Sequence, residues 1–277
     1  MHILTDFRLN ALWKLAQPDA AEAALAPFTD HHPVDTIKGL TRYHVPGDLM
    51  HTGDLGVCAY TVGGVLAELV YDGPFPGALG ERVLALWREV ETVYQVRQSS
   101  HKLSALTLSM FYKNADAWVC FSGKAAETRC LLYVVKDICE AYNTGSDRDL
   151  HRLRCLTSLC GVYDIFQHGH FLPREAAENA MQACDIFLVH YNWLCNNSVN
   201  QGRLYYPLVV KLHMFWHICH QARWLNPRTI WAYEFEDQVG AMITSAKACT
   251  AGTPMRLIGT KALENYRLVL NLRLNRS

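Results

Sequence analysis

Apolar residues recur at spacings of three and four through most of this chain, and that pattern predicts helix after helix. Between residues 81 and 98, ERVLALWREVETVYQVRQ sets Val83, Leu86, Trp87, Val90 and Val93 or Tyr94 on one face. SGKAAETRCLLYVVKDICEAY repeats the pattern, with Ser122 as the expected N-cap. The next helix starts at the Ser146–Asp147 cap and ends near Gly169; another opens with Pro173 in its first turn and runs to Asn196–Asn197. A further helix carries KLHMFWHICHQARWL up to a break at Asn226–Pro227, and two more follow over residues 230–249 and 259–273. Upstream, LGVCAYTVGGVLAELVY is apolar at helical spacing despite Gly63 and Gly64, and DGPFPGALG ends it. The chain opens with two short helical patterns stopped by Pro18 and Pro27, and then a histidine-rich loop runs to Asp54. Strand patterns are scarcely visible. The expected fold is mainly α: a bundle-like helical block at 63–206, between a loop-and-helix segment at 1–62 and C-terminal helices at 207–277.

Composition narrows the class without naming it. The chain has 277 residues, half of them hydrophobic, which is enough for a sizeable core. Its formal net charge is +0, so the overall balance points to neither nucleic acid nor membrane, and local patches must carry any such case. Ten cysteines occur without a CxxC pair, and most sit in apolar, helix-periodic stretches. With no secretory signal pattern at the N-terminus, they read as buried free thiols of an intracellular protein. No run reaches the roughly 18 apolar residues of a membrane span.

Three polar constellations interrupt this helical background. Lys211, His213, His217 and His220 share one predicted helix, and His213 and His217 stand one turn apart. Two imidazoles with a distant carboxylate suit a metal, but Cys219 points elsewhere and no local set of four ligands forms. Ordinary polar lining is the other reading. Glu234, Glu236 and Asp237 open the next helix, where the helix dipole alone favours acids. Glu236 borders the apolar face of Phe235 and Val239, so an inward-looking carboxylate with a metal partner is the sharper reading. In HVPGDLMHTGDLGV, Asp48 and His51 are three apart at a loop–helix junction, which suits metal or phosphate chemistry. Asp54 is the expected cap of the helix that follows.

The order of these patterns resembles the C-terminal half of eukaryotic cut-and-paste transposases of the CACTA and Plavaka type, which have a ribonuclease-H-like core. Asp48, Met50 and His51 match an Asp-x-Met-His stretch, followed by a Leu-Gly-Val turn at Leu55–Val57. Lys211, His213 and His217 match Lys-x-His-x-x-x-His, and Phe235, Glu236 and Gly240 match Phe-Glu-x-x-x-Gly. The resemblance implies that Glu236 is the third acid of an Asp-Asp-Glu set holding Mg2+ or Mn2+ for phosphodiester cleavage and strand transfer. It also implies that the helical block is an all-helical insertion in a truncated α+β core. Asp48 is then the second acid, or it belongs to a separate Asp-x-x-His signature that leaves Asp30 or Asp35 as metal ligand. The chain departs from the family in showing no three-stranded pattern upstream of Asp30 and no N-terminal DNA-binding module. The expectation is a transposase-derived DNA-handling protein, incomplete or inactive alone, with the nucleus as a compartment. Lys261, Arg267 and Arg273 on the last amphipathic helix offer a small basic patch for phosphate. The alternative is a non-catalytic helical interaction module.

Overall fold

A computed structural model describes residues 47–250, 252 and 254–274, with the side chains at 234, 235, 237, 238, 245, 269, 270 and 272–274 outside that description. Every regular element among the described residues is helical, as the periodicity predicts. The chain divides into two compact units at Ile230–Trp231. The boundaries expected at 62 and 206 do not coincide with this division. One helix runs straight through the first, and the helix after the second packs within the first unit.

That first helix, α1 (Met50–Tyr71), is wound in two ways: Met50–Cys58 has wide π turns and Ala59–Tyr71 ordinary α turns. By length and hydropathy it reaches the measure of a membrane span, contrary to the sequence expectation, but 89% of its most apolar window is buried inside the protein. It is a core helix. Gly63 and Gly64 persist in it because neighbours press close: an added Cβ would lie 2.7 Å from the Phe121 nitrogen at Gly63 and 2.5 Å from the Tyr206 ring at Gly64. At the first of these contacts the Phe121 N–H donates to the Ala59 carbonyl at 2.9 Å.

Helix α2 (Leu79–Val96) buries Val83, Leu86, Val90 and Tyr94, the face its spacing predicts, and leaves Trp87 half-buried. Helix α3 (Ala125–Ala141) is not capped by Ser122, whose N–H instead donates to the Met110 carbonyl at 2.6 Å. Its cap position is Lys124, whose N–H is held by the Glu127 carboxylate at 3.3 Å. Helix α4 (Asp147–Phe166) has the expected cap, with Ser146 Oγ accepting from the Asp149 N–H at 3.2 Å. Helix α5 (Arg174–Asn200) places Pro173 at the cap rather than inside the first turn, and it makes its most extensive interface with α4.

Helix α6 (Val210–Gln221) packs on both α5 and the start of α1. Beyond it the chain is stapled back by Asn226, which is fully buried. Its carboxamide donates to the carbonyls of Phe166, His168 and Gly169 at 2.9, 3.1 and 2.8 Å, satisfying the end of α4. In the second unit α7 (Tyr233–Ala248) and α8 (Met255–Leu274) pack against each other. All ten cysteines are free, and eight are buried, while Cys120 and Cys130 are half-buried. Cys120 lies in a loop rather than in the helix its surroundings suggest.

Candidate functional site: a polar seam between α1 and α6

Asp48 lies just ahead of α1, with Leu49 between them, and its carboxylate accepts the N–H groups of Met50 at 3.1 Å and His51 at 3.0 Å. It also lies against His51 Nδ1. This is an N-cap, the role expected of Asp54. Asp54 instead lies inside the π segment, fully buried, and is ion-paired with Arg129 at 2.8 Å. The helix begins earlier than the apolar pattern suggests because Asp48 supplies a cap and Arg129 neutralises the acid within it. Beside this pair, the Cys58 thiol donates to the Tyr163 hydroxyl at 3.3 Å, and burial pushes the Tyr163 phenol well above its ordinary pKa.

Helix α6 runs along this start of α1. Lys211 Nζ donates to the carbonyls of His51 at 3.0 Å and Leu55 at 3.3 Å, and at the other end Gln221 Oε1 accepts from the Gly47 N–H at 3.4 Å. Gly56 makes room for the lysine stem, since a Cβ there would lie 2.6 Å from Lys211 Cδ. Two motifs 160 residues apart thus touch. His213 and His217 bring their Nε2 atoms to 3.0 Å with the rings edge to face. Partial desolvation in the seam lowers both pKa values, and the neighbouring His217 helps push His213 down to about 4. Both rings are neutral at pH 7. The His220 ring lies 3.7 Å from that of Trp216, whose indole N–H donates to Asp185 on α5 at 3.1 Å.

Glu236, Lys261 and Arg267 belong to the second unit. Glu236 stands exposed in the first turn of α7, in the second unit, and Val239 on its expected apolar face is 47% exposed. The inward-looking carboxylate is not found, because this unit buries little: Cys249 is its one fully buried hydrophobic side chain among the described residues. Asp30 and Asp35 lie outside the described residues, as does the side chain of Arg273. Lys261 and Arg267 are exposed on α8. Among the described residues, no three histidine, cysteine, aspartate or glutamate side chains come together as metal donors.

The pattern reading missed a buried ionic node in the first unit. Glu68 on α1 is 2% exposed and accepts from Arg148 Nε at 2.8 Å and from Arg152 at 3.2 Å. Arg152 also pairs with Asp149, which accepts from the amide and hydroxyl of Thr144. Burial opposes the Arg152 charge, yet Cys139, Glu68, Tyr206 and Asp149 hold its pKa above the ordinary value. These groups border an open cleft of about 410 Å³. The available signal was an acid in the middle of an apolar helix, with two arginines one turn apart on another. Compared with known proteins, the chain matches no family model, and no curated protein or solved structure matches it. What fold and site define is a class in structural terms: a mainly α protein with an ionic core and a histidine-bearing seam.

Proposed function

We propose that this chain is a transposase-derived helical protein that handles DNA without assembling a complete catalytic centre of its own. The reading rests on one observation: the Asp48–His51 and Lys211–His217 motifs, whose order carries the resemblance, meet through the Lys211 ammonium. A two-metal centre with Mg2+ or Mn2+ requires converging acids. Asp48 is engaged in capping, and the described residues offer no such group, so no cleavage step is assigned to Asp48 or Glu236; Asp35 lies outside the described residues. DNA contact falls to α8, which has four basic residues and one acid, with Lys261 and Arg267 exposed.

The test is fluorescence anisotropy of a labelled DNA duplex with the full chain at several salt concentrations. About three phosphate contacts give a log–log salt slope of roughly −3, and Lys261→Glu with Arg267→Glu should weaken binding to all sequences alike. No binding at low salt sinks the DNA reading. The interaction module then stands, favoured by the exposed Met242, Ile243, Leu257 and Leu263 on α7 and α8.

A further inference from the structure

His213 and His217 lie one turn apart on α6 with Nε2 atoms 3.0 Å apart. Metal–nitrogen bonds of about 2.0–2.1 Å at ordinary coordination angles place two donors roughly 2.9–3.4 Å apart. The rings therefore already span one edge of a coordination sphere. We propose that His213 and His217 form a two-point chelate, through Nε2, for a borderline transition-metal dication such as Zn2+, Ni2+ or Cu2+.

His217 is exposed, so an ion has access and water completes the sphere, no third histidine, cysteine or carboxylate joining the pair among the described residues. Two neutral rings in this contact share one proton between the Nε2 atoms. The metal takes its place, and the proton moves to Nδ1 of the donor ring, with no oxidation and no net proton release. Imidazole nitrogen selects zinc, nickel and copper over magnesium, which takes oxygen ligands. This site is separate from the carboxylates of the transposase reading and stands or falls independently of it. The other histidine contact, His151 Nδ1 to His190 Nδ1 at 2.8 Å, is closed: His190 is 9% exposed and His151 is stacked on Trp193.

The experiment is titration of the full chain with Ni2+, followed by equilibrium dialysis and by tryptophan fluorescence, Trp216 lying 5.2 Å from the His217 ring. One ion per chain is expected. Since loss of even an outer-shell partner of a metal ligand costs about 10–100-fold, His217→Gln should weaken binding by about tenfold or more. His190→Gln and His220→Gln should leave it unchanged, and excess Mg2+ should not compete. Because His217 is exposed, its glutamine variant keeps the fold, checked by circular dichroism; His213→Gln is a supporting variant only. Equal Ni2+ affinity in His217→Gln and the unaltered chain overturns the proposal, as does the absence of stoichiometric binding in the unaltered chain.

Discussion

Arg152 shows how burial changes the worth of an ion pair. Its side chain is 8% exposed and Glu68 beside it 2%, whereas Arg174 and Glu178 form a pair that is 92% and 58% exposed. Solvent screens the second pair, and such contacts contribute about 0–1 kcal/mol. Removing Arg152 leaves the buried Asp149 without its cation and Glu68 with Arg148 alone, a loss that approaches the roughly 3–5 kcal/mol of a broken buried pair. Arg152→Met should therefore lower the urea midpoint sharply while Arg174→Met barely moves it. Equal effects would mean that the node is hydrated and energetically idle. His213 makes a different claim, about pH. Its pKa falls from an ordinary 6.5 to about 4 through burial and His217. Between those values the unfolded chain binds more protons than the folded one, so stability rises with pH across that window. The contribution is complete above about pH 6.5 and is lost as pH falls towards 4. In thermal melts from pH 7 to 4.5, His213→Gln should flatten the decline relative to the unaltered chain. A parallel decline in both would remove His213 from the acid response and leave His217, His151 and His190, which burial also lowers.

At the scale of elements, periodicity identified α2 through α6 because each buries one stripe against a neighbour, the case in which a period near 3.6 is visible. The buried Val83, Leu86, Val90 and Tyr94 of α2 are the plainest instance. Boundaries were less legible where polar groups make them. Helix α1 absorbs Met50–Gly53, which read as loop, since Asp48 caps it and Arg129 neutralises Asp54 from another helix. No local signal announces a partner 75 residues away. Helix α3 similarly starts past Ser122 because Glu127 reaches back to Lys124. The candidate site was half legible. Lys211, His213 and His217 could be picked from their spacing, but that Lys211 reaches the carbonyls of His51 and Leu55 is a fact of tertiary packing. The inward face inferred for α7 beside Glu236 assumes a core, and among the described residues its unit buries almost none.

For the molecule as a whole, this uneven burial decides where stability resides. Among the described residues, every buried hydrophobic side chain except Cys249 belongs to the first unit. The second unit leaves Val239, Met242, Ile243, Met255, Leu257, Leu263 and Leu268 between 45% and 91% exposed. Two helices with so little buried surface have no cooperative core of their own, since very small units bury too small a fraction of their surface to fold alone. A chain ending at Ile230 should therefore keep one cooperative thermal transition, shifted by only a few degrees, the range that about 1 kcal/mol produces in a domain of this size. It should also bind less of a dye that reports exposed apolar surface, because the open side chains are gone. Differential scanning calorimetry with dye fluorescence on the two chains makes the comparison. Loss of the transition would show that residues 231–277 complete the core after all. Retention assigns the stability to the helices around α1 and leaves α7 and α8 with exposed apolar and basic side chains, Lys261 and Arg267 among them, on which the proposed DNA contact is tested by the titration.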